Sequence, residues 1–143
     1  TVPMAHYNYE TVSQFIRKMD EIYSLSEVEN HVASGYRIVW HDAIRFPMSD
    51  FVKTYFAQGG YKDGLHGLVL SVLQAFYSFI VFAKLWEREK FVERGLPVEV
   101  VEQELVRAQG EVRYWLLSAK ISETRDLMKR IWYRLLRKHV RTH

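Results

Sequence analysis

Between Asp63 and Lys84 the chain carries no Asp, Glu, Lys or Arg. An interval this apolar reads as a single helix, expected over about residues 64–92. Its centre, residues 67–83, is 17 residues long, about 26 Å at 1.5 Å per residue, at the lower edge of what crosses a bilayer. Ser71, Gln74 and Ser78 are spaced three and four apart and share one face, leaving Leu70, Leu73, Phe76, Tyr77, Phe79 and Ile80 around the remainder. Such a helix can lie in a membrane interface, sit in a soluble core, or span or re-enter the bilayer. Length does not choose among the three.

The remainder of the chain is built from elements that could pack around it. At 143 residues with 48% apolar side chains, it has the size and composition of one ordinary domain with a real core. Few glycines and prolines and many aromatics favour long uninterrupted elements, so an all-α fold of five or six helices is expected. Thr11 and Gln14 form a capping-box signal ahead of Val12, Phe15, Ile16, Met19, Ile22 and Tyr23 at helical spacing. Ser26 and Glu29 repeat that signal, which predicts a second short helix ending at Gly35. Residues 36–41 read as extended or loop. Pro47 suits a first helical position, with Met48, Phe51, Val52, Tyr55 and Phe56 as an aromatic-rich stripe stopped by Gly59 and Gly60. Two adjacent helices with broad aromatic faces fit a headgroup boundary better than water.

Near Phe91 the texture changes from apolar and aromatic to charged and heptad-like, which divides the chain into residues 1–92 and 93–143. Val101, Leu105, Ala108, Val112, Trp115 and Ala119 recur at steps of three and four and predict a fifth helix. A sixth, over about residues 122–141, either continues it or folds back. On a helical wheel Lys129, Arg130, Arg134, Arg137, Lys138 and Arg141 occupy one half, with Ile131, Trp132, Leu135 and Leu136 mostly opposite. A basic amphipathic helix suits an anionic membrane surface, where Trp132 belongs at the water–acyl boundary. The same charges could track nucleic-acid phosphates, the less favoured reading, or merely complement the helix dipole. There is no cysteine, which removes thiol catalysis, disulfides and zinc–thiolate sites.

Pro47-x-x-x-Phe51-x-x-x-Tyr55, then Gly60-Tyr61-Lys62-Asp63-Gly64-Leu65-His66-Gly67-Leu68, Ala75-Phe76-Tyr77 and Ala83-Lys84-Leu85-Trp86-Glu87 follow one another in order. This combination resembles the C-terminal, membrane-associated tail of bacterial family 2 glycosyltransferases. His6-Tyr7-x-Tyr9 with Ser13, Phe15, Lys18 and Tyr23 is similar to the segment by which such enzymes leave the nucleotide-sugar domain. The resemblance covers about residues 3–90. It implies sugar transfer from a nucleotide donor to a glycolipid, lipopolysaccharide core or polyprenyl-linked acceptor at the cytoplasmic face of the bacterial inner membrane, with the tail peripheral or monotopic. Its partners would be an upstream catalytic domain, an anionic membrane surface and a lipid-linked acceptor.

The family's Asp-x-Asp and Gln-x-x-Arg-Trp motifs and its alternating β/α run do not occur in this sequence. The chain opens at Thr1 without an initiator methionine and is read as a piece of something longer, expected not to catalyse transfer by itself. The resemblance implies a divalent cation, magnesium or manganese, for the complete enzyme, and no cofactor in this chain.

Within that resemblance His6 is the candidate for facing metal or diphosphate, and Lys18, Asp63 and His66 for contacting substrate. Each has a plainer reading: a turn histidine, a solvated helix lysine, a helix cap and a first-turn residue. Gly64 and Gly67 are better explained by backbone geometry than by a phosphate cradle, which would normally follow a strand. Phe51, Tyr55, Phe56, Trp86, Lys129, Arg130, Trp132, Arg134, Arg137 and Lys138 are the candidate interface residues, although Trp86 would equally suit core closure. The alternative function is a non-catalytic helical module that oligomerises with itself or binds a partner through its last two helices.

Overall fold

A computed structural model describes residues 11–140. Every regular element among them is helical: α1 (Val12–Lys18), a π-turn (Met19–Tyr23), α2 (Ser24–Ala33), α3 (Asp42–Val52), a second π-turn (Lys53–Ala57), a 3-10 turn (Gly60–Asp63), α4 (Gly64–Arg88), α5 (Val98–Glu123) and α6 (Leu127–Val140). The packing is layered. α4 lies against α2 and α3, α3 also packs on α5, and α5 pairs with α6.

Thr11 caps α1 as expected, its hydroxyl accepting the Gln14 N–H at 3.1 Å. The second capping signal, at Ser26, does not start a helix. The chain runs from α1 through the π-turn into α2 without a break. The tertiary structure rewards this continuity: the Asp20 carbonyl accepts both the Ser24 hydroxyl, at 3.1 Å, and the Lys84 ammonium, at 2.8 Å. Gly35 does end α2, at φ +72°, with the Tyr36 N–H bonding back to His31 and its own to Val32.

Pro47 is not at a helix start but inside α3, which begins at Asp42. The buried Asp42 carboxylate explains the earlier start. It accepts the Val39 N–H and the Tyr36 hydroxyl, each at 2.8 Å, and so folds residues 36–41 into a loop leading directly into helix.

α4 ends at Arg88 rather than near residue 92. Lys90 and Phe91 take left-handed φ values of 61° and 53°, and the Trp86 indole reaches over to donate to the Val92 carbonyl at 3.1 Å. α6 starts at Leu127 because Asp126 caps it, accepting the Met128 N–H at 2.9 Å. It folds back on α5: Arg137 lies over the Tyr114 ring and donates to Ser118, and Lys120 lies over Tyr133.

In α5 the inward stripe differs by one position from the expected one. Leu105 is 54% exposed, while Glu104 turns inward with Ala108 and Leu117. A buried carboxylate is tolerable only when paired, and here Arg45 of α3 meets it with two bonds of 2.6 and 2.7 Å while Arg107 adds a third at 2.8 Å. Hydrogen bonding from Arg45 therefore holds the Glu104 carboxyl down to about 2, against the opposing effect of burial. Bonding to Glu104 correspondingly raises the Arg45 guanidinium. Tyr36 is pushed up to about 12, first by burial and then by its bond to Asp42.

Candidate functional site

The packed side of α4 consists of Gly67, Ser71, Ser78, Val81 and Leu85. Toward its C-terminal half, Val81 and Leu85 join Val28 and Ile38 in a small core flanked by Tyr77, Phe82 and Trp86. From the N-terminal half to just past the middle the packed side is polar. Ser78 donates to the Asp50 carboxylate of α3, and Ser71 donates to the Gly67 carbonyl at 2.7 Å. Leu65, Leu68, Val69, Val72, Phe76 and Phe79, which the helical repeat places on the other side, are exposed, Leu65 at 75% and Val72 at 51%. From Gly67 to Ser78 the amphipathicity is therefore reversed relative to a helix packed on a water-soluble core, while Val81 and Leu85 keep the ordinary sense. Only 22% of the most apolar window is buried, and by length and composition α4 could cross a membrane. At 25 residues it extends about 37 Å.

The motif before α4 is a close backbone junction. Gly64 sits at φ 59°, ψ −135°, a region that only glycine occupies readily. Gly67 is pressed so tightly on the preceding turn that an added Cβ would meet the Gly60 carbonyl oxygen at 1.9 Å. Asp63 stands at the N-cap position, but its side chain makes no capping hydrogen bond. Its charge remains beside the positive end of α4.

Phe51, Tyr55 and Phe56 form one half-buried cluster, with Phe51 stacked on Tyr55 at 5.4 Å and Tyr55 edge-on to Phe56 at 5.1 Å. Trp86 is half-buried and packs edge-on against Phe91. On α6, Leu127, Met128, Ile131, Trp132 and Leu135 are all exposed, Trp132 at 60%. Lys129, Arg130, Arg134 and Lys138 are exposed as well, whereas Arg137 is drawn into the seam with α5.

Asp63 and His66 share one turn. Lys18 does not join them. It precedes by two positions Asp20, whose carboxylate lies 2.7 Å from the Lys84 ammonium. Lys84 is 18 residues beyond His66, about 27 Å along the same helix. His6 lies outside the described residues. Among those residues no three His, Asp or Glu side chains converge as metal ligands. The divalent cation implied for a complete enzyme finds no such ligand set among the described residues.

Sequence reasoning missed Lys84, which ties α4 to the π-turn, and the pair Arg45–Glu104. The second left a signal: Glu104 falls at helical spacing between Val101 and Ala108, on the buried stripe.

The chain is similar to the lipopolysaccharide core biosynthesis glycosyltransferase LpsC of Rhizobium meliloti, 28% identical over 94 residues, or 66% of this chain and 34% of that protein. It carries a glycosyltransferase-related region. The chain spans about a third of the length of the curated relative it matches. No family model matches the sequence. No solved structure matches it either.

Proposed function

We propose that this chain is the C-terminal helical portion of a family 2 glycosyltransferase, and that it seats the enzyme on the cytoplasmic face of the inner membrane, where a lipid-linked or cell-envelope glycan acceptor is presented. The reversed polarity of α4 carries the reading. An apolar arc facing outward, over serines facing inward, is stable where the outside is lipid and costly where it is water. α6 adds a second contact. Its bare stripe around Ile131 and Trp132 suits the acyl boundary, and Arg130, Arg134 and Lys138 beside it suit anionic headgroups. The similarity to a lipopolysaccharide core glycosyltransferase supports the acceptor class. Sugar donor chemistry and the cation belong, in this reading, to an upstream domain.

Vesicle flotation tests the proposal. The chain should float with anionic vesicles at low salt, and Val72→Glu/Phe76→Glu should abolish flotation. Arg130→Glu/Arg134→Glu should remove only the salt-sensitive part. Failure to float with either anionic or neutral vesicles would sink the membrane role. A detergent-free oligomer of defined size, unaffected by lipid, would instead favour the interaction module.

A further inference from the structure

A cleft of about 260 Å³ opens beside the C-terminal half of α4, between the 36–41 loop, the start of α3 and the segment that follows α4. Its walls are chiefly apolar, with Trp40, Ala43, Phe82, Trp86 and Leu96 among them, and its polar side chains are Glu93 and Arg94. Arg94 is held in place, donating to the Ile38 carbonyl at 3.0 Å and to Glu89 at 2.8 Å. A small apolar cavity with a few fixed polar groups is the usual form of a site for a mostly apolar ligand. The cleft is also continuous with the outward face of α4. Phe79, on that face, contacts the ring of Phe82, which lines the cleft.

We infer that this cleft takes one hydrocarbon chain of an amphiphilic acceptor, drawn in from the surface on which α4 lies. The inference rests on the membrane reading of α4. The volume suits a single chain segment rather than a whole lipid, and the lining offers no cluster of cations that would select a free phosphate. Arg94, with Glu93 beside it, is the charged group at hand for the polar end of the ligand. Trp86, which the sequence left open between interface anchor and core closure, becomes a wall of the site, fixed by its indole bond to the Val92 carbonyl.

The test uses the full chain with Trp115→Phe and Trp132→Phe, so that fluorescence reports Trp40 and Trp86, and the probe is 11-bromoundecanoate below its micelle concentration. Saturable one-to-one quenching is expected, competed by octanoate, decanoate and dodecanoate with affinity rising about fourfold per methylene until the cleft is full. Ala43→Phe, which fills the cleft, should weaken binding at least tenfold. Leu96→Glu, at a 46% exposed position where a charge can stay open to water, should do the same. Ala43→Phe and Leu96→Glu made in the chain with all four native tryptophans should float with anionic vesicles as that chain does. Absence of saturable quenching, or equal quenching of both variants, overturns the cleft assignment while leaving α4 docking intact. Loss of flotation by the parent chain, with quenching retained, overturns the membrane route of delivery instead.

Discussion

Replacing Gly67 by alanine should destabilise the fold even though alanine is the better helix former. In an open helical site the exchange gains about 1 kcal/mol, because glycine loses more backbone entropy on folding. At Gly67 the new Cβ would lie 1.9 Å from the Gly60 oxygen, 2.7 Å from the Gly60 carbon and 3.1 Å from the Asp63 Cβ. Ordinary contact begins at 3.4 Å, so the turn and α4 would have to part by 1.5 Å. Gly60 has little room to retreat, since its own Cβ position is 2.9 Å from the Thr54 carbonyl oxygen and 3.3 Å from the Tyr55 Cα. Overpacking of this kind costs about 1–3 kcal/mol even among side chains, and backbone yields less readily. We expect a net loss of about 2 kcal/mol, which lowers a urea midpoint by about 1 M at an ordinary m-value. Gly110→Ala is the internal control, a helical glycine with nothing within 4 Å of its Cβ position. It should raise stability by about 0.5–1 kcal/mol. Equilibrium unfolding followed by far-UV circular dichroism gives both numbers. If Gly67→Ala raises the midpoint alongside Gly110→Ala, the close junction at the head of α4 does not exist.

Glu104 makes stability pH-dependent in acid. Its folded carboxyl is depressed to about 2 from 4.5, so its contribution is complete above about pH 4.5 and is lost as protons bind on the way down to about 2. That shift is gross worth about 3 kcal/mol, but with the Arg45 side chain 39% exposed we expect about 1–2 kcal/mol after screening. Glu104→Gln should flatten that limb of the pH–stability curve, and an unchanged limb would refute the pairing. Lys84→Met should remove the ammonium from the Asp20 carbonyl, its carboxylate and the buried Ser24 hydroxyl, at about 1.5–3 kcal/mol. Amide exchange should accelerate around the π-turn more than in the centre of α4; equal acceleration throughout would refute a local tie. Asp126→Ala should cost about 1 kcal/mol and fray the first turn of α6, read as faster exchange at Met128 and Lys129, and unchanged rates there would discount the cap.

Where a signal depends on local chemistry, the sequence carried it. The Thr11 cap, the Gly35 stop and the uncharged run of α4 all appear as expected. Pro47 misled because a proline inside a helix loses a bond and is disfavoured there, which makes the first turn its ordinary place; what decided its place was Asp42 gathering Val39 and Tyr36 five residues earlier. The π-turns have no short-range signature, and the first is tied to Lys84, some sixty residues away in sequence. At the candidate site, the shared face of Ser71, Gln74 and Ser78 was visible at once. Its direction was not, since periodicity identifies a face but cannot say whether water, lipid or α3 lies against it.

The inward serines of α4 also bear on how heat capacity reports this chain. Apolar surface that is open to water before and after unfolding adds nothing to the heat-capacity change, and exposed polar surface subtracts from it. With Leu65, Val72, Phe76 and Phe79 already hydrated in the folded state, unfolding in water should give a heat-capacity increment per residue below the usual value of about 12–15 cal/mol/K. The stability curve in water is then shallow, varying little with temperature. A surface that covers that arc would deepen it.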